Sequence, residues 1–172
     1  MDLGVVLREV GGFLESEKAP FAVVGGLALQ AYGRARYTND VDLMVGADER
    51  DCLIEFLEKR GFVTLHRSEG FSNHLHADPA LGRLDVIYVD RATRDKIVEG
   101  GRATTLGGVA VIVPKPEHLV AMKVHAIRND RRRLFQDLAD IQFLMTLPGV
   151  DRDEIRRYFE DAGLVERFYE LE

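Results

Sequence analysis

Val23-Val24-Gly25-Gly26-Leu27-Ala28, followed by Thr38-Asn39-Asp40-Val41-Asp42-Leu43 with 13 residues between Gly26 and Asp40, is the part of this sequence that carries the most chemistry. Phe21-Ala22-Val23-Val24 is a short apolar run with β-branched residues, and Gly25-Gly26 stops it. The pattern predicts a buried strand running into a tight turn. Leu27 to Tyr32 then reads as a short helix ending near Gly33, and residues 34–39 as a polar loop. Asp40 to Val45 reads as a second strand. A period of two places Asp40, Asp42 and Met44 on one face and Val41, Leu43 and Val45 on the other. Glycines without a Cβ let backbone N–H groups approach a phosphate, and the start of a helix favours an anion. Two carboxylates on one strand face repel each other unless a cation sits between them. Carboxylate oxygens, water and phosphate oxygens are the ligands a hard divalent cation prefers.

The segments around this centre follow the same logic. Leu3, Val6, Leu7, Val10, Phe13 and Leu14 have helical spacing, so residues 3–17 are predicted as an amphipathic helix. Residues 48–60 form another, with Leu53, Ile54, Phe56 and Leu57 as its buried stripe and Gly61 after its end. Cys52 is expected in that helix as a small core residue. Residues 62–66, 72–77 and 83–90 are candidate strands. His74 and His76 lie two apart on one of them, as polar surface or site lining. A short helix is expected over 92–99, with Asp90 able to cap it, and a hairpin over 103–113 around Gly107-Gly108. Beyond residue 115 the pattern turns helical. Pro116 opens one helix, Arg131-Arg132-Arg133 interrupts, a second spans 134–147, and Asp151 caps a third. Lys115, beside two prolines, is expected as a solvated loop charge. The division suggested is an α/β core over 1–115 and a helical lobe over 116–172, packed on it.

The chain has 172 residues, 46% of them hydrophobic and 30% charged, a balance that excludes disorder, collagen and coiled coil. The net charge of −6 argues against a general basic coat for nucleic acid, and Arg131–Arg133 is read as a solvated turn, with a local patch for a polyanion such as tRNA as its alternative. A single cysteine fits a reducing compartment, and the first residues lack the basic and apolar regions of a signal peptide. No apolar run approaches a membrane span, so a cytoplasmic protein is expected.

The hydrophobic-Gly-Gly turn, the dozen residues that follow and the Asp-x-Asp between hydrophobics resemble the signature of the nucleotidyltransferase superfamily, which includes DNA polymerase beta and kanamycin nucleotidyltransferase. The resemblance implies an α+β fold: a mixed, twisted sheet flanked by helices, with a helical C-terminal lobe closing one side. It implies Mg²⁺ (or Mn²⁺) held by Asp40 and Asp42, with a third carboxylate from a later strand. Asp85, in the otherwise apolar Leu84-Asp85-Val86-Ile87, is the match. Asp90 is a weaker rival. It also implies nucleotide contacts from Gly25, Gly26, Arg36 and Thr38, with Arg34 nearby.

In the C-terminal half, Pro114 to Lys123, then Arg128, then Gln136-Asp137-Leu138-Ala139-Asp140 look like the abortive-infection toxin (AbiEii-like) branch, with its Lys motif and Asp-x-x-Asp motif. Lys123 is then a nucleotide-phosphate ligand or the partner of Asp137. Asp137 and Asp140 share a helix face behind the site. The activity implied is transfer of an NMP from a nucleoside triphosphate to an acceptor hydroxyl. The acceptor is a tRNA or a protein, with an antitoxin partner, if the toxin branch holds. An antibiotic nucleotidyltransferase or a non-catalytic nucleotide-binding module are the alternatives.

Overall fold

The computed structural model describes residues 2–35 and 37–171. The chain divides into two compact units, Met1–Pro114 and Lys115–Glu172. In the first, helix α1 (Leu3–Ser16) starts where the Asp2 carboxylate accepts the Val5 N–H, and it buries Val6, Leu7, Val10 and Leu14. Strand β1 (Phe21–Val23) leads into α2 (Gly25–Ala31), so the helix begins on the glycine pair itself, earlier than the expected Leu27. Strand β2 (Asp40–Gly46) is followed by α3 (Arg50–Lys59), β3 (Phe62–Arg67), β4 (Phe71–His76) and β5 (Arg83–Val89). Asp90 then caps α4 (Arg91–Glu99), its side chain accepting from Thr93 N. Strands β6 (Arg102–Leu106) and β7 (Val109–Val113) form a separate hairpin. Its Gly107 and Gly108 both have positive φ, 56° and 77°, as the tight two-residue turn requires.

The main sheet has the order β1-β2-β5-β4-β3. β2 pairs parallel with β5, and the other pairs are antiparallel. It is therefore the mixed sheet of an α+β fold. One face carries Val41, Leu43, Leu84, Val86 and Tyr88, all buried. Alternation along β5 is strict, with Leu84, Val86 and Tyr88 buried and Asp85 and Ile87 half-buried on the other side. α3 contributes buried Leu53, Ile54 and Leu57, whereas Phe56 is half-buried. Cys52 is exposed rather than in the core, its thiol donating to Glu49 O at 3.0 Å. It lies one position outside the buried stripe, on the solvent side of the first turn.

His74 corrects a second expectation. It is fully buried on the apolar face, in register with Leu84, and so cannot line a site on Asp85's face. Tyr88 OH and Ser72 Oγ are 2.8 Å apart, Ser72 Oγ and His74 Nε2 2.8 Å, His74 Nδ1 and Thr64 Oγ1 3.2 Å, and Thr64 Oγ1 donates to Glu58 at 2.7 Å. One orientation satisfies every group: Tyr88 donates to Ser72, Ser72 to Nε2, and Nδ1–H to Thr64. The imidazole is then neutral. His76 is spent locally too, on Arg60 O and Asp78 N.

The second unit is helical: α5 (Pro116–Asn129), α6 (Leu134–Met145), α7 (Arg152–Asp161) and α8 (Val165–Leu171). Arg131–Arg133 form an exposed 3₁₀ turn between α5 and α6. Lys115 is not a bare loop charge, since its Nζ meets Glu154 Oε2 at 2.7 Å. Lys123, on α5, is buried, and its Nζ donates to Asp137 Oδ1 at 2.9 Å and Asp140 Oδ2 at 2.6 Å on α6. Arg133 adds a second cation on Asp137 at 3.1 Å. The i, i+3 spacing of the two aspartates lets one ammonium bridge both.

Two stability outcomes follow from this packing. Lys123→Met leaves two buried carboxylates without their ammonium and should cost about 3–5 kcal/mol, read from urea midpoints. Burial pushes His74 below its ordinary value of about 6.5, against the pull of Glu58 and Asp85. The unfolded chain therefore binds a proton that the folded one refuses. Stability should fall as pH drops below about 6.5, and the difference between wild type and His74→Leu should isolate that slope.

Candidate active site

The Gly25-Gly26 stretch and the Asp40-Val41-Asp42 stretch meet in space, and their spacing has a steric cause. Val24 N donates to Asp42 O at 2.9 Å, tying the end of β1 to β2. Gly25 follows with φ +61°, and a Cβ there would lie 1.9 Å from Asp42 Oδ2. This glycine supplies both the left-handed turn and the room for the Asp42 carboxylate. A Cβ on Gly26 would lie 2.8 Å from Thr38 Oγ1. Thr38 Oγ1 in turn donates a hydrogen bond to Asp40 Oδ1. Each glycine thus makes space for a residue of the second stretch.

Asp85 enters from the parallel neighbour. β2 and β5 pair with Asp42 opposite Asp85, and the side chains of both point away from the buried apolar face. Carboxylate oxygens of Asp40, Asp42 and Asp85 all lie within 4.8 Å of one another, and all three residues are half-buried. A divalent cation is the partner that fits such an all-oxygen set. Part of the charge is balanced within the chain. Arg83, two residues before Asp85 on the same face, grips it with Nε–Oδ1 2.9 Å and Nη2–Oδ2 3.2 Å. This fork fixes the orientation of Asp85. Arg83-x-Asp85 at i, i+2 on a strand is a spacing that the sequence itself offers for this ion pair.

Gly25, Gly26, Thr38, Asp40, Asp42 and Asp85 form one cluster in the first unit. Lys123, Asp137 and Asp140 form an ion-pair cluster in the second. Arg36 lies outside the described residues. Asp90, the rival third carboxylate, caps α4 instead.

Neither a protein-family model nor a curated protein sequence matches the chain. Solved structures do. The antibiotic-resistance factor ANT(2'')-Ia aligns with a TM-score of 0.61 at 16% identity, over 99% of this chain and 90% of its own. The lincosamide antibiotic adenylyltransferase LnuA, bound to lincomycin, gives 0.57 at 16%, over 82% and 95%. An antigenic nucleotidyltransferase-like protein from Paracoccidioides brasiliensis gives 0.59 at 17%, over 98% and 92%. With the mixed sheet and the acidic triad on adjacent strands, these alignments identify the architecture: the chain has the nucleotidyltransferase fold.

Proposed function

We propose that this protein is a nucleotidyltransferase that moves an NMP from a nucleoside triphosphate to an acceptor hydroxyl. The observation that carries this reading is the convergence of Asp40, Asp42 and Asp85 within 4.8 Å on the open face of the sheet. Asp40, Asp42 and Asp85 would hold Mg²⁺ (or Mn²⁺), which, when bound, neutralises charge developing on the triphosphate. The chain's own residues do the rest. The backbone at Gly25 and Gly26, with Thr38 beside it, bounds the space for the phosphates. The acceptor oxygen forms a bond to the α-phosphorus, the bond to pyrophosphate breaks, and the acceptor's proton passes to Asp85, which Arg83 holds in orientation. Retention of all three carboxylates disfavours a non-catalytic binding module.

The acceptor is read as a small molecule. The helical motif suggested the toxin branch, with a tRNA or protein acceptor and an antitoxin partner. In the structure that motif is a buried ion-pair cluster, Lys123 with Asp137 and Asp140, which organises α5 against α6. It therefore carries architecture and says nothing of the acceptor. Among proteins of the same fold, LnuA was solved with lincomycin and ANT(2'')-Ia with adenylyl-2"-tobramycin, and these support a small hydroxylated acceptor here.

Calorimetry on the full chain tests the reading. ATP and the other nucleoside triphosphates should bind with Mg²⁺ and not with EDTA, and Asp42→Asn should abolish the metal-dependent part. An unaltered isotherm for that variant rejects the assignment. Gly25→Ala should displace the Asp42 carboxylate and weaken metal-dependent nucleotide binding at least tenfold (about 1.4 kcal/mol). A circular-dichroism melt should show the variant still folded at the temperature of the titration.

A further inference from the structure

The carboxylate face of the sheet does not end at Asp85. Through the strand register, Asp42 lies opposite Asp85, Asp85 opposite Asn73, and Asn73 opposite His66. One row thus runs across β2, β5, β4 and β3. With strands about 4.8 Å apart, Asn73 and His66 sit roughly 5 and 10 Å beyond Asp85. The register shifts between Thr64 and His66, so Leu65 is the extra residue of a bulge. Such a bulge re-aims side chains, and these are common beside active sites. A parallel row places Asp40 opposite Arg83, Arg83 opposite Leu75, and Leu75 opposite Val63.

This second half of the face is apolar and open. Val63 is 60% exposed, Leu65 56% and Leu75 44%. These residues are neighbours on two paired strands, which makes them a patch rather than scattered surface. Its only polar members in register with the triad are Asn73 and His66, whose ring lies 6.2 Å from Phe71. Among the described residues that the register places on this face, the guanidinium or ammonium group present is that of Arg83, already held by Asp85. A polyanion such as an RNA end would find no lysine or free arginine there to meet its phosphates.

We infer that the Val63–Leu65–Leu75 strip, edged by Asn73 and His66, is the acceptor platform, and that it selects a small hydroxylated molecule with an apolar flank. The inference rests on the nucleotidyltransferase reading. The hydroxyl sits over Asp85, Asn73 bonds the neighbouring polar group, and the apolar flank covers the leucines and Val63. The occupant follows from the continuity of the exposed apolar strip with the carboxylates.

The test uses the full chain with Mg²⁺ and a non-hydrolysable ATP analogue, and two probes with the same sugar hydroxyls: methyl β-D-glucoside, and octyl β-D-glucoside below its micellar concentration. Methyl resonances of Val63, Leu65 and Leu75 are followed by NMR. The octyl probe should shift them at least tenfold lower in concentration than the methyl probe, and Leu75→Glu, an exposed substitution, should erase that preference. Equal response to both probes overturns the platform. So does tRNA binding in place of the octyl probe, or methyl shifts that follow protein concentration alone, which would mark a second copy on this face. Failure of the two readings is separable. Nucleotide binding without the octyl preference overturns the platform only. An octyl preference without Mg²⁺-dependent nucleotide binding overturns the nucleotidyltransferase reading, and the acceptor role with it.

Discussion

The parallel pairing of β2 with β5 in the register that sets Asp42 beside Asp85 is the constraint on which the rest of the site depends. A slip of one residue would turn Asp85 to the apolar side and put Val86 or Leu84 in its place. The register is held by burial. Val41, Leu43, Leu84 and Val86 are fully buried on the opposite face, so the carboxylates are left to the open one. The hydrophobic pattern that stabilises the sheet is therefore the same pattern that assembles the acidic triad.

Crowding three carboxylates opposes folding, and the chain answers with local devices. Arg83 forks onto Asp85, and Thr38 donates to Asp40. Gly25 gives Asp42 its space, and the Val24 N–H to Asp42 carbonyl bond fixes the turn against the strand. These devices leave the triad oriented with its oxygens clustered, which is what a hard cation requires. On the other side of the sheet, polar groups are handled differently. His74, Ser72, Tyr88, Thr64 and Glu58 satisfy one another in a line, so a buried histidine costs little and has no part in the open face.

The helical unit applies the same rule to a cation. Lys123 on an apolar helix face needs an anion, and α6 offers two at i, i+3. The Lys motif and the Asp-x-x-Asp motif of the sequence thus form a buried ion-pair cluster that joins two helices. Lys115 with Glu154 repeats the theme at the start of α5.

The Gly-Gly turn and the Asp40–Asp42 pair were legible in the sequence because both rest on short-range patterns, and the nucleotidyltransferase fold and the third carboxylate, Asp85, were legible through the family resemblance that those patterns carry. Period-two alternation assigns Asp40 and Asp42 to one face, an apolar strand makes Asp85 conspicuous, and Gly-Gly marks the turn. Helix and strand positions followed from apolar spacing for the same reason, apart from local shifts such as α2 beginning at Gly25. Only the tertiary structure decided what depends on distant partners. Cys52 faces solvent because α3 turns its stripe one position away. His74 belongs to the core because β4 pairs with β5 in the register that puts it opposite Leu84. Lys123 bridges two aspartates because α6 folds back on α5. The exposed strip of Val63, Leu65 and Leu75 joins the carboxylate face only through the order β2-β5-β4-β3. Strand order and register are long-range properties, set by burial of whole faces, and no local pattern in the chain encodes them.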